Sequence, residues 1–248
     1  MLAIIGGTGL TQLANLEITQ RQVMRTPYGE PSGALTFGTI KQHDVVFLAR
    51  HGYGHTIPPH RVNYRANMWA LRELGAKRVI SVSSVGGIRN DMVPGVIAVP
   101  DQIIDYTYGR HATYFDGHER SVVHLDFSFP FNRDMRAKIL AAAGTAGVPC
   151  IDGGVYAATQ GPRLETAAEI NRMERDGADM AGMTGMPEAI LALELGLPYA
   201  TIAVVVNDGA GRRSSSDGVH LETLAHVIPP AMEKVRDILE CVVEHDAD

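Results

Sequence analysis

Cysteine is almost missing from this chain of 248 residues; Cys150 and Cys241 are its two. Two lone cysteines give neither a disulfide framework nor a zinc-ligand spacing. A basic excess is missing as well. Lys and Arg total 22 against 28 Asp and Glu, a net charge of -6, and a nucleic-acid surface needs the opposite sign. No apolar run reaches the roughly 18 residues that span a bilayer, so no membrane partner is expected. The opening Met-Leu-Ala-Ile-Ile-Gly-Gly has no basic stretch, and no signal peptide is expected. Internal repeats, low-complexity linkers and breaks in composition are absent. With 45% hydrophobic and 20% charged residues, the expectation is a single cytoplasmic domain over residues 1–248. Gly-x-Ser-x-Gly is absent, which removes the nucleophile elbow of a serine hydrolase. Gly6-Gly7-Thr8-Gly9 lacks the third glycine of a dinucleotide fingerprint, because position 12 is Gln12.

What is present is a set of apolar runs that stop on polar residues. The clearest is Tyr199 to Val206, β-branched and nearly continuous, followed by Asn207-Asp208-Gly209. That is the pattern of a strand buried on both faces, with polar side chains at its carboxyl end. Leu2 to Ile5 runs into Gly6-Gly7-Thr8-Gly9, a turn that reads either as an oxyanion cradle or as a structural turn. Residues 34–40 and 44–49 read as a hairpin ending in Arg50-His51-Gly52. Residues 78–82 form a strand ending in Ser83-Ser84, and 155–159 a strand that leads to Glu165. Short strands are expected at 96–99 and 103–104. Helices are expected at about 61–74, 135–147, 166–177 and 187–195, and over 220–243 with a break at Pro229-Pro230. Residues 107–131 read as a long loop, and 209–219 as a mobile flap. Strands alternating with helices give an α/β class with a central mixed sheet.

In open α/β sheets ligands bind beyond the carboxyl ends of the strands. Thr8, Arg50, His51, Ser83 and Ser84 combine a guanidinium, an imidazole and hydroxyls, a set suited to phosphate, sulfate or a phosphate ester. Glu165 and Asn207 offer a carboxylate and an amide, which could hold the edge of a planar heterocycle. His51, His55 and His60 lie close in sequence, but Pro58-Pro59 breaks any helical ligand pair, so no metal is expected.

Several motifs are specific in combination: Ile4-Ile5-Gly6-Gly7-Thr8-Gly9-Leu10, Arg50-His51-Gly52 with His55-Thr56-Ile57-Pro58, Val62-Asn63-Tyr64 with Ala66-Asn67, Gly161-Pro162-Arg163, and Met183-Thr184 with Pro187-Glu188. Together they resemble the trimeric branch of the methylthioadenosine and purine nucleoside phosphorylase family, over nearly the whole chain. The resemblance implies a nucleoside phosphorylase fold and the phosphorolysis of a purine nucleoside. Phosphate is then a co-substrate, no cofactor is needed, and the partners are the nucleoside and copies of the chain in a homotrimer or a dimer of trimers. By resemblance Thr8, Arg50, His51, Ser83, Ser84 and Thr184 bind phosphate. Met183 packs by the ribose, and Asn207, Asp208 and Gly209 hold the base, with Asn207, Asp208 and His51 assisting catalysis. His124 reaches a neighbouring subunit's ribose 5′ end. His220 matches a histidine of the purine nucleoside phosphorylases, where methylthioadenosine phosphorylases carry an apolar residue. The methylthioadenosine enzymes have Asp at the positions of Asn207 and Gly209, and Ser at that of Glu165. Glu165 with Asn207 is instead similar to the 6-oxopurine enzymes. An ionised Glu165 accepts from the N1–H of hypoxanthine but faces the lone pair of adenine N1, and mismatched buried groups discriminate strongly. A methylthio-type body with a 6-oxopurine-type base site resembles the S-methyl-5′-thioinosine phosphorylases. Inosine or guanosine phosphorolysis and methylthioadenosine phosphorolysis are the alternatives.

Overall fold

The computed structural model describes residues 1–117 and 121–245. Its strands are β1 (Leu2–Gly6), β2 (Glu17–Gln22), β3 (Leu35–Ile40), β4 (His43–Ala49), β5 (Arg78–Gly87), β6 (Ile97–Val99), β7 (Gln102–Asp105), β8 (Cys150–Asp152), β9 (Val155–Ala158), β10 (Met180–Gly182) and β11 (Tyr199–Asp208). Its helices are α1 (Tyr64–Glu73), α2 (Arg133–Thr145), α3 (Ala167–Arg175), α4 (Gly185–Glu194) and α5 (Leu224–His245). Among the described residues the strands form one sheet. Its main path is β2-β3-β4-β1-β5-β10-β9-β7, and β11 branches from β5 and continues through β6 to β8. This is the α/β class with a central mixed sheet that the alternation of strands and helices predicts.

β5 is the branch point because it is long enough to serve three neighbours. Its first half pairs β1 in parallel, its whole length pairs β11 in parallel, and Gly86 and Gly87 pair β10 antiparallel. β1 also pairs β4 in parallel. The carboxyl ends of β1, β4, β5 and β11 therefore lie along one edge of the sheet. Residues alternate between the two faces, as the pleat requires. Ile4, Phe47, Ile80 and Ile202 face α2 and α5 in one core, while Ile5, Leu48, Val79 and Ala203 face α1 and α4 in the other.

Several boundaries differ from the sequence expectation. β5 does not stop before Ser83; pairing with β11 carries it on to Gly87. β2 has an almost wholly exposed pattern, so it has no apolar alternation to betray it, and its pairing with β3 alone defines it. β8, equally unannounced, is a three-residue edge. α5 runs through Pro229 and Pro230 without a break. The carbonyls those prolines leave unbonded belong to Ala225 and His226, which are exposed to water. The segment after β11 is not free. Arg212 donates to Asn171 and Glu174, and Arg213 pairs with Asp208.

Gly87 holds the junction of β5, β10 and β11. A Cβ there would sit 1.8 Å from the Met92 carbonyl oxygen, a backbone atom that cannot step aside. Gly87→Ala should lower stability by about 1–3 kcal/mol or more through overpacking. Urea denaturation should show the midpoint falling with little change in slope.

Candidate active site

A cavity of about 390 Å³ opens at that strand edge, a size that suits a small-molecule ligand. Its lining joins residues far apart in sequence: Gly7 and Thr8 after β1, Arg50 and His51 after β4, Ser83 and Ser84 in β5, Met183 and Thr184 after β10, Glu165 after β9, and Asn207 in β11. Thr8, Arg50 and Asn207 sit where their strands reach that edge; Ser83 and Ser84 lie inside β5, and β9 and β10 run antiparallel to it.

At one end, hydroxyls and backbone converge. Ser83 Oγ lies 3.1 Å from Thr184 Oγ1, and Ser84 Oγ donates to the Thr8 carbonyl at 3.2 Å. Arg50 is fully buried behind Gly7. Its planar fork is not offered to the cavity. Nε and Nη2 engage the carboxylate of Glu188, the second at 3.0 Å. Nη2 also donates to Ser81 Oγ at 2.6 Å, and Nη1 to the Val82 carbonyl at 3.1 Å. Of the five guanidinium hydrogens, one on Nη1 remains. Nη1 lies against Gly7, where a Cβ would be 2.9 Å from it. The sequence assigns the Arg50 guanidinium to phosphate; its two-pronged Nε–Nη2 edge is occupied by Glu188.

His51 is 6% exposed. Its Nδ1 lies 2.8 Å from the Ile57 carbonyl. A carbonyl only accepts, so Nδ1 carries the hydrogen and Nε2 is left with a lone pair. Burial first, and then the Arg50 charge, lower its pKa to about 4. The imidazole is neutral at pH 7, so it accepts a hydrogen bond and adds no positive charge.

At the other end, Glu165 accepts from Thr159 Oγ1 at 2.7 Å, which fixes one carboxylate oxygen and leaves the second. Asn207 Nδ2 donates to the Asp208 carbonyl at 2.7 Å, which leaves its second hydrogen and its oxygen. β11 carries a bulge here: Val205 pairs with Val85 and Asn207 with Gly86. Val206 is the extra residue, so Val206 and Asn207 both line the cavity instead of alternating.

Four predicted residues lie elsewhere. The Asp208 carboxylate is turned out of the cavity and accepts from Arg213 Nε (2.7 Å), Ser214 N (3.1 Å) and Ser214 Oγ (2.6 Å). It anchors the segment after β11. Gly209 likewise ties strand ends together, donating to the Gly87 carbonyl at 2.8 Å. His220 is exposed, with Nε2 3.3 Å from Asp217 and Nδ1 3.5 Å from Glu222. The cavity wall at that point is made by Leu221, Leu224 and Ile228. His124 is exposed and is not part of the cavity lining. Sequence reasoning gave no role to Glu188, whose signal was present: one carboxylate inside the apolar run Met186-Pro187-Glu188-Ala189-Ile190-Leu191. A lone charge on a buried helix face needs a partner.

A model of the phosphorylase superfamily matches residues 1–243. A probable S-methyl-5′-thioinosine phosphorylase of Xanthomonas campestris pv. campestris is 52% identical over 226 residues, 91% of this chain and 90% of that protein. A 6-oxopurine nucleoside phosphorylase of Pyrococcus furiosus is 44% identical over 247 residues, 98% and 90% of the two chains. The fold superposes on methylthioadenosine phosphorylase from Schistosoma mansoni in complex with adenine, with a TM-score of 0.94 and 31% identity over 99% of this chain and 91% of that one.

The neutral, buried His51 makes stability depend on pH. Its folded pKa of about 4 lies below the ordinary value of 6.5. Between those values the unfolded chain binds a proton that the folded chain does not. The contribution is therefore complete above about pH 6.5 and is lost as pH falls toward 4. Between pH 7 and pH 5 the wild type should lose about 1–2 kcal/mol more than His51→Gln. Equal losses in paired urea melts would place the titration elsewhere.

Proposed function

The chain belongs to the phosphorylase superfamily, and from that premise we propose that it cleaves S-methyl-5′-thioinosine with phosphate, giving hypoxanthine and 5-methylthioribose 1-phosphate. The observation that carries this reading is the apolar wall of Leu221, Leu224 and Ile228, with His220 facing solvent. With phosphate beside Gly7, Thr8, Ser83, Ser84 and Thr184, and the base beside Glu165 and Asn207, that wall is left for the ribose 5′ substituent. A thioether gains by burial there, whereas a 5′-hydroxyl finds no partner on those three side chains.

In the reaction the phosphate oxygen attacks C1′ as the glycosidic bond lengthens, and positive charge grows on the ribosyl group. Binding aligns the two reactants and removes the entropy of their encounter. The Arg50 charge is balanced by Glu188 and His51 is neutral, so phosphate is held by hydroxyls, backbone N–H groups and one Nη1 hydrogen. The anion's own charge is then free to steady the ribosyl cation. His51 Nε2 accepts the phosphate O–H. Glu165 accepts from N1–H of the 6-oxopurine, and the second Asn207 amide hydrogen donates to O6 or N7 as the base leaves. Asp208 acts only by anchoring the segment behind Asn207.

The working unit in this reading is a cytoplasmic homotrimer. Val122, Val123, Leu125 and Phe129 are 62%, 43%, 43% and 58% exposed, apolar surface that a second copy would cover while His124 meets the neighbour's cavity. Among the described residues no helix is long and apolar enough to cross a membrane.

Two measurements test the reading. In a panel run with and without phosphate, methylthioinosine should exceed inosine in kcat/KM by ~10–200-fold, the range for one apolar group in a pocket. Leu224→Asn should narrow that ratio from the methylthioinosine side; a wild type that prefers inosine would make it a purine nucleoside phosphorylase. Asn207→Asp combined with Glu165→Ser should weaken 6-oxopurine turnover and admit 6-aminopurine nucleosides. If the wild type already cleaves methylthioadenosine as fast as methylthioinosine, the roles of Glu165 and Asn207 fail.

A further inference from the structure

We infer that Arg110 is a positioning residue for the reaction, one that holds the base-facing and phosphate-facing walls of the cavity at a fixed separation. The inference rests on the phosphorolysis reading. Arg110 lies in the long stretch between β7 and α2, outside the cavity lining. Its Nη1, with two hydrogens, lies within hydrogen-bond distance of three acceptors, the carbonyls of Met183 (2.9 Å) and Met186 (2.6 Å) and the Tyr64 hydroxyl (3.2 Å), which share them. Its Nη2 donates to the carbonyls of Thr159 (3.1 Å) and Gln160 (2.9 Å), and its Nε to Gln160 Oε1 (3.2 Å). Every one of these acceptors is neutral. Among the described residues Arg110 is spent mainly on holding backbone carbonyls in place, not on an ion pair.

The two sets of carbonyls belong to different walls. Thr159 and Gln160 follow β9 and lead to Glu165, whose carboxylate accepts from the Thr159 hydroxyl. Met183 and Thr184 link β10 to α4, in whose first turn Met186 sits, and Thr184 touches Ser83. A third wall is tied in through Tyr64. The Arg110 guanidinium lies 5.4 Å from the Tyr64 ring centroid, and the Tyr64 hydroxyl donates to the carbonyl of Pro59 at 2.9 Å. One planar cation thus spans the supports of the base, the phosphate and the rim. A lysine could not replace it, because its three hydrogens sit on one nitrogen, whereas these acceptors are met from three nitrogens spread along a planar fork.

Phosphate and base would each keep their own contacts if Arg110 were lost. What would change is the distance between them, and a misplacement of about 1 Å can cost ~10²-fold in rate. Arg110→Ala should therefore lower kcat by ~10²-fold while both Michaelis constants move less than about threefold. Arg110→Lys, which guards against a folding failure in the alanine variant, should also lose kcat at a melting temperature near that of wild type. Added guanidinium, at concentrations far below those that denature, should restore part of the activity to Arg110→Ala and none to wild type. An active wild type with Arg110→Lys at full kcat would overturn the inference alone, as would a variant that loses only thermal stability. A wild type inert toward every purine nucleoside would remove the reading of the site, and the inference with it.

Discussion

The buried ion pair between Arg50 and Glu188 is the interaction on which the site depends. It brings together the end of β4, the helix α4, and, through Ser81, Val82 and Tyr199, the strands β5 and β11. Burial works against the charge on Arg50, and Glu188 more than offsets it, so the guanidinium pKa is raised. A pair this deeply buried is tolerable only when the remaining donors and acceptors are satisfied. Ser81, the Val82 carbonyl and the Tyr199 hydroxyl satisfy all of them except one Nη1 hydrogen. Removing one partner leaves an uncompensated buried charge, a loss on the order of 3–5 kcal/mol.

The same pair sets the electrostatics of the phosphate end. A free arginine beside a protonated histidine would attract any anion and hold it tightly. Arg50 is instead neutralised from behind by Glu188, and His51 is neutral because it is buried beside Arg50. In the proposed reaction the phosphate must be held firmly enough to be aligned yet remain a nucleophile. Neutral hydroxyl and amide donors meet both needs, since they fix position without drawing off the negative charge that the ribosyl cation requires.

Local backbone features then give the cavity its shape. Gly7 lets the chain pass close to Arg50, where any Cβ would lie 2.8 Å from the Val82 carbonyl oxygen. The bulge at Val206 puts an apolar and a polar side chain of adjacent residues on the same wall. Behind them, Asp208 and Arg213 fasten the following segment to the strand end. These devices place a carboxylate, an amide and an apolar wall around one volume without any of them being sequence neighbours.

The sequence by itself determined the class of fold and the strand ends that bear the chemistry. Continuous apolar runs that stop on Thr8, Arg50-His51 or Asn207 are local patterns, and burial of a run with solvation of its end is a local consequence. Glu165 and Asn207 likewise declare their hydrogen-bonding type wherever they sit. Tertiary structure alone decided direction. His220 is extended and Leu221 opens a short 3-10 helix, so whether His220 or Leu221 meets the cavity depends on how the segment before α5 packs. Whether Asp208 faces the cavity or Arg213 depends on a bulge defined by pairing with β5. β2 exists because β3 offers it an edge, not because of its own residues. Whether Arg50 offers two prongs or one depends on Glu188, 138 residues away along the chain, brought into contact only when α4 packs against the sheet.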